Sequence, residues 1–230
     1  MDVTETVNQK IKKRLVDSLD YLRRMNFFKD YSNLSSEEIL ERIFRNEINY
    51  ACSWWFEEPN PSFSEISKPI PHGFYLLETT EEDWRHWMKK SDFEIDRLLI
   101  PFDTKRVMVE DAETMISNDM GTAILKRLVR ISRGIFQPTN VSNRWMFQER
   151  YKWKIQEVSF DFKGKRHCIQ IVLCHDFLED IGLRELNELI EDTGYQYYRV
   201  KDDYITVVIL TKGEAEKLEK ERGWKFEYIH

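Results

Sequence analysis

The stretch Arg166–His175, RHCIQIVLCH, carries a His/Cys pair at each end of an apolar run. Histidine and cysteine are common zinc ligands, so the spacing raises the question of a metal site. On a strand that rises about 3.3 Å per residue, Cys168 and Cys174 lie roughly 20 Å apart, whereas two thiolates on one zinc ion must lie within about 4 Å of each other. We therefore expect two buried thiols here, with no metal and no cofactor.

The neighbouring tripeptide Asp161-Phe162-Lys163 has the acidic-x-Lys spacing found on a strand in many metal-dependent nucleases. There the carboxylate holds magnesium and the lysine steadies the attacking water. A second carboxylate is needed, and Glu149 and Glu157 are the acidic residues that closely precede the motif. An exposed hairpin tip is an alternative explanation for these three residues. A metal-dependent hydrolase or nuclease centred on Asp161 and Lys163 is the alternative functional hypothesis.

A third candidate site is rich in tryptophan and acidic residues. Adjacent tryptophans on a helix diverge by about 100°, so both are buried only if the helix end is covered from two sides. An exposed tryptophan beside acidic residues is typical of a contact surface for a basic or aromatic partner. Packing within a helical layer is the competing interpretation. The candidate partner-binding residues are Trp54, Trp55, Glu57, Glu58, Trp84, His86 and Trp87.

The Arg166–His175 stretch belongs to a predicted β-hairpin. Lys163-Gly164 separates two strand patterns, Lys152–Phe162 and Lys165–Cys174, and is typical of a two-residue turn. This turn fixes the register, in which Phe160 faces His167. One face of the hairpin is then apolar and is predicted to be core, and the other face is mainly polar.

The first strand of this hairpin contains an irregular alternation. Trp153 and Ile155 fall on one parity, whereas Val158 and the apolar residues after it fall on the other. A β-bulge inserts one extra residue and restores a single apolar face. A bulge near Gln156–Glu157 is therefore predicted.

The N-terminal part of the chain shows helical periodicity. Apolar residues every three or four positions predict a helix over about residues 6–27, and Ser35 with Glu38 forms a capping-box signal for a second helix that pairs with it. A proline-rich loop is predicted at 57–73. A further helix is predicted over 118–133, ended by Gly134 in a left-handed conformation.

Near residue 140 the apolar period changes from about 3.6 to 2, which predicts a change of architecture. The fold class is α+β, with a mainly helical region over 1–140 and an antiparallel region in ββαββα order over 141–230. The two regions are either separate or parts of one continuous domain.

Composition and charge exclude several classes of protein. The 230 residues have a formal net charge of −6, which disfavours a nucleic-acid-binding surface made of clustered Lys and Arg. No apolar run approaches the roughly 18 residues of a membrane span, and the first residues lack the apolar stretch of a secretion signal. Three cysteines are too few for a secreted disulfide framework. We expect a cytoplasmic protein with no membrane partner.

Common catalytic motifs are missing from the sequence. There is no phosphate-binding glycine loop, Gly-x-Ser-x-Gly elbow or His-Glu-x-x-His helix. The main hypothesis is therefore a non-catalytic binding, inhibitory or regulatory protein that acts through contacts with a protein partner. The scarcity of alanine, with plentiful Ile, Lys and Asp, suits an AT-rich microbial or phage genome.

Overall fold

A computed structural model shows the predicted α+β class, with α-helices and two antiparallel sheets. The sequence led us to expect one C-terminal sheet, and the strands divide between two. The structure describes residues 3–45, 47–48, 88–110, 119–147, 153–174, 177–201 and 204–227.

The chain divides into two compact units. The first comprises Met1–Thr104 and Lys217–Trp224, and the second comprises Lys105–Glu216 and Lys225–His230. These units differ from the predicted regions 1–140 and 141–230. The helical period of residues 120–131 does not reveal that this segment packs on a sheet, so the sequence places it in the helical region. The first unit is therefore discontinuous in sequence.

The first unit contains the two amphipathic helices that the apolar period predicts, α1 (Val3–Arg24) and α2 (Ser36–Phe44). It also contains α3 (Asp92–Leu99), which the sequence analysis did not predict. The described part of the predicted stripe of α1, Ile11 to Leu22, is buried, and Ser35 caps α2 in the predicted capping box with Glu38. Asn26 and Phe28 adopt positive φ after α1, so the first helix ends earlier than predicted. These turns bring α2 back against α1.

Asp96 of α3 lies at the centre of a buried polar network in the first unit. Its carboxylate accepts hydrogen bonds from Ser18 Oγ at 2.7 Å and from Trp224 Nε1 at 3.0 Å. Arg222 donates to it through Nε at 2.9 Å and Nη2 at 2.7 Å. The Arg222 guanidinium also lies 4.9 Å from the centre of the Tyr21 ring. A buried charge needs such partners, because removing an unpaired charge from water costs roughly several kcal/mol.

The second unit contains both sheets. The strands are β1 (Val107–Glu110), β2 (Thr139–Phe147), β3 (Trp153–Phe162), β4 (Lys165–Cys174), β5 (Phe177–Asp180), β6 (Tyr195–Lys201), β7 (Ile205–Thr211) and β8 (Phe226–Glu227). Their orders in the two sheets are β1-β7-β6-β8 and β2-β3-β4-β5, and all neighbouring pairs are antiparallel. The helices are α4 (Met120–Ile131), α5 (Leu183–Ile190) and α6 (Lys212–Arg222), whose later turns belong to the first unit.

Helix α4 packs on one face of the sheet β2-β3-β4-β5, which we call the inner face. Gly121 makes this close approach possible, because a Cβ atom there would lie 2.6 Å from Val158 Cγ2. The backbone N–H of Gly121 donates a hydrogen bond to the buried Gln156 side chain. Apolar residues of both sheets, α4 and α5 share one hydrophobic core.

The predicted hairpin register is confirmed. Strands β3 and β4 pair without interruption from Trp153 opposite Cys174 to Phe162 opposite Lys165. The turn residues Lys163 and Gly164 both have positive φ, as a two-residue hairpin turn requires.

The bulge predicted near Gln156–Glu157 is wrong, because β3 pairs continuously there. The irregularity lies in β2, between Thr139 and Ser142. Without a bulge in β3, Trp153 and Ile155 point to the face opposite Val158. The irregular alternation therefore marks apolar residues on the second side of the sheet.

Candidate functional site

The outer face of the sheet β2-β3-β4-β5, opposite α4, is the candidate functional site. Strand registers place its residues in cross-strand rows that change from charged to apolar along β3. The rows are Asp161 with Arg166; Ser142 with Ser159 and Cys168; Arg144 with Glu157 and Gln170; Met146 with Ile155 and Val172; and Trp153 with Cys174.

The charged end of the outer face is organised by Arg166. Its Nη1 donates to the backbone oxygen of Asn140 at 2.6 Å and to Asp161 Oδ1 at 3.1 Å, and its Nη2 donates to Ser142 Oγ at 2.9 Å. The Asn140 amide donates to Asp161 Oδ2 at 2.6 Å. These hydrogen bonds hold the irregular start of β2 against β3 and β4.

The middle of the outer face carries an ion pair between Arg144 and Glu157. Arg144 Nε and Nη2 each lie 2.7 Å from Glu157 Oε1. The arginine side chain is 70% exposed, whereas the glutamate side chain is 18% exposed. The cation is therefore the group that this row presents to solvent.

The other end, which we call the apolar end, consists of Met146, Trp153, Ile155, Val172 and Cys174. Met146 is 37% exposed, and the other four are partly exposed. These side chains come from three neighbouring strands, so they form a continuous apolar surface on a hydrogen-bonded scaffold.

The two cysteines of β4 behave differently from the prediction that both are buried. Cys168 is exposed and Cys174 is partly exposed, because both lie on the outer face. Partial desolvation of the thiol and the nearby Glu157 carboxylate raise the pKa of Cys168, although the hydrogen bond with Ser159 lowers it. The continuous strand separates the thiols as the sequence predicts, whereas His167 lies beside the buried Phe160. His175 lies outside the described residues.

Asp161 and Lys163 of the hydrolase hypothesis have different partners. Hydrogen bonds from Asn140 and Arg166 hold the pKa of the Asp161 carboxyl below its usual range. Lys163 Nζ donates to Asp192 Oδ1 at 2.6 Å and to the Leu189 carbonyl oxygen at 3.1 Å. Asp161 is thus paired with Arg166, and Lys163 is paired with Asp192. Within the described ranges, no three His, Cys, Asp or Glu residues are grouped to hold a metal ion.

The predicted tryptophan-rich contact surface lies outside the described residues, so the structure does not test it. It comprises Trp54, Trp55, Glu57, Glu58, Trp84, His86 and Trp87. The predicted proline-rich loop at 57–73 lies outside them as well.

The apolar end of the outer face was missed by the sequence analysis. Its signal was present, since Trp153 and Ile155 break the parity of the core-facing residues. We interpreted that change as a bulge that returns every apolar residue to the core. Apolar residues at both odd and even positions also occur in a regular strand when one end of its second face is apolar.

No protein-family model, curated protein or solved structure matches this chain. Among the described helices, none has the length and apolar character needed to cross a membrane.

Proposed function

We propose that this chain is a non-catalytic cytoplasmic protein that inhibits or regulates a protein partner by binding it through the outer face. The observation that carries the proposal is the apolar end, where three strands present Met146, Ile155 and Val172 side by side. Polar side chains would be expected on a sheet face that only meets water.

The residue types of the apolar end suit a protein interface. Methionine and tryptophan are enriched in interfaces relative to other protein surface, and the centre of an interface is depleted of charge. The charged row containing Arg144 adjoins the apolar end, and the row containing Arg166 lies two rows further along β3, so both supply part of a polar rim on one side. An apolar centre with such a rim is the usual anatomy of a protein contact.

The ionisable groups of the outer face favour binding over catalysis. Asp161 has a lowered pKa, so it is a stable anion rather than a proton donor near neutral pH. The Cys168 thiol has a raised pKa and stays protonated, whereas the thiolate is the nucleophilic form. The Asp161 carboxylate instead accepts hydrogen bonds from Asn140 and Arg166, which hold β2 and β4 against β3.

The proposal is tested by replacing apolar-end residues with lysine and identifying bound proteins in the native host by cross-linking and mass spectrometry. Met146→Lys and Val172→Lys are expected to lose a partner that the wild type retains, because a charge then occupies the interface centre. Melting temperatures measured in parallel verify that both variants fold.

Tyr204→Lys is the matched control, because it places the same charge on another exposed apolar residue of the second unit. This control is expected to keep the partner. Affinity for the purified partner then follows, with an expected loss of about 2 kcal/mol or more, roughly thirtyfold, at an interface centre. Equal recovery of all partners by folded Met146→Lys and Val172→Lys proteins would reject the outer face as the contact.

A further inference from the structure

We infer that the outer face receives an acidic amphipathic helix of the partner, with its apolar stripe on the apolar end and its carboxylates on Arg144 and Arg166. This inference rests on the proposed function and adds the chemistry of the partner. The observations that carry it are the unequal exposure of the partners in the two ion pairs and the position of both pairs on the same side of the apolar end.

In both charged rows the arginine is more exposed than its carboxylate. Arg144 is 70% exposed against 18% for Glu157, and Arg166 is 49% exposed against 34% for Asp161. Long arginine side chains extend over the shorter acids, so an approaching surface meets guanidinium groups first. Each row is neutral overall, but its outermost group is a cation, on a chain whose net charge is −6.

The guanidinium groups have donors for a further carboxylate. A guanidinium carries five N–H donors in a planar fork that matches carboxylate geometry. Among the described residues, Glu157 engages only Nε and Nη2 of Arg144. A partner carboxylate that binds the same guanidinium extends an existing ion pair rather than displacing it.

The rows also set an orientation for the partner. Along β3, Ile155, Glu157 and Asp161 mark the apolar row and the two charged rows, which places the arginine pairs about 7 and 20 Å from the apolar row. Asp180 stands opposite Val172 on β5 and would repel an acidic group at that side of the apolar row. The partner's acidic residues are thus expected towards the hairpin turn.

A helix is the element that suits this face. The inner face of the same sheet already packs against the amphipathic helix α4. A helix satisfies its own backbone hydrogen bonds and covers a sheet face with its apolar stripe, which makes helix on sheet a stable layer arrangement. An extended segment laid on a sheet face would leave its backbone groups without partners.

The experiment uses two labelled synthetic peptides as probes, each of about 18 residues or five helical turns. Both carry the same leucine stripe, and their polar positions are all glutamate in one and all lysine in the other. Fluorescence anisotropy measures their affinity for the full chain at low and physiological salt. We expect the glutamate peptide to bind about tenfold more tightly than the lysine peptide, and added salt to reduce the difference.

Arg144→Gln is expected to weaken the glutamate peptide about tenfold, the loss of one carboxylate contact. Arg184→Gln is the matched control, because it removes the same charge from an exposed arginine of α5 that pairs with Glu185. It should leave the affinity unchanged. Equal effects of these two variants would show that net charge, and not Arg144, selects the peptide, and would overturn the inference.

The Met146→Asn/Val172→Asn double variant separates the inference from the proposed function. Tighter binding of the lysine peptide that this variant abolishes would overturn the acidic helix while supporting the outer face as a contact. If neither peptide binds the wild type, the helix is overturned as well. Peptide binding that the folded double variant leaves unchanged would contradict both proposals.

Discussion

The ion pair between Asp96 and Arg222 in the first unit and the pair between Arg144 and Glu157 in the second differ in their surroundings. Asp96 is fully buried, and hydroxyl, indole and guanidinium donors all converge on it. Glu157 meets an arginine that is mostly in solvent. The first pair is committed to holding the fold, whereas the second leaves its cation available to another molecule.

This difference separates two uses of the same chemistry. A buried carboxylate that loses its cation stays desolvated, so the fold suffers the full penalty of an unpaired charge. An exposed pair exchanges its contact for water at little cost. Burial, rather than the presence of an ion pair, therefore indicates which arginine stabilises the fold and which can take part in recognition.

The largest expected effect is on the buried pair. Asp96→Ala should reduce the free energy of unfolding by about 3–5 kcal/mol, because Arg222 is then left without its buried counter-ion. Urea unfolding followed by circular dichroism measures it. Asp92→Ala is the matched control, since Asp92 also binds Arg222 at 2.9 Å but is half exposed, and it should cost about 1 kcal/mol or less. Similar losses in both variants would remove the distinction.

The predicted tryptophan-rich contact surface would be a second place where the chain uses exposed side chains for recognition. If the tryptophan-rich segment contacts the partner, replacing Trp54 or Trp55 by Ala should weaken binding by about 2 kcal/mol for the exposed residue and leave the fold largely intact. If both are core residues, each replacement should instead lower stability by about 3–5 kcal/mol. Melting temperature and partner affinity, measured together, separate these outcomes.

Tyr21, whose ring lies beside Arg222, predicts a response to high pH. Burial and the hydrogen bond to Glu221 raise the pKa of Tyr21 to about 12. The folded state therefore keeps a proton that the unfolded chain releases near pH 10, so this contribution is intact below pH 10 and lost as pH rises through 12.

The loss should be of the order of one hydrogen bond, about 1 kcal/mol. Tyr21→Phe is the control, because it keeps the ring and removes the ionisable hydroxyl. The free energy of unfolding, measured from pH 9 to 12, should fall more steeply with pH in the wild type than in this variant. Parallel curves would mean that Tyr21 ionises as it does in the unfolded chain.

The exposed pair should contribute little to stability. A double-mutant cycle with Arg144→Gln and Glu157→Gln is expected to give a coupling free energy of about 0.2–1 kcal/mol. Guanidinium chloride would screen the pair, so urea is the denaturant of choice. A coupling near that of a buried pair would show that Arg144 is a structural residue, which would weaken its proposed role in binding.

The smallest expected effect concerns the hydrolase hypothesis. Mg²⁺, Mn²⁺ and Zn²⁺ should leave the melting temperature unchanged, because Asp161 and Lys163 are each bound to other residues. A ligand that binds only the native state must raise its stability. A rise of several degrees with one metal, absent in Asp161→Asn, would restore the hydrolase hypothesis.

Local patterns in the sequence predicted local structure well. The register of β3 and β4 follows from strand alternation and the Lys163-Gly164 turn, and the capping of α2 follows from Ser35 and Glu38. These features are decided within a few residues, where turn and capping preferences act.

Contacts between distant residues were not predictable in the same way. Arg222 and Asp96 are 126 positions apart, and nothing near either residue in the sequence reveals their pairing. The division of the strands into two sheets also depends on long-range pairing, such as that between β1 and β7. The exposed apolar end was detectable from parity, but strand alternation alone does not distinguish a bulge from an apolar second face.

The discontinuity of the first unit has a consequence for synthesis on the ribosome. At roughly 5–20 residues per second, the 126 positions between Asp96 and Arg222 correspond to a delay of about 6–25 s. During that interval the nascent chain holds the acid without its arginine, although α1, α2 and α3 have all been made. The helices made first thus receive this counter-ion only when residues 217–224 have been translated.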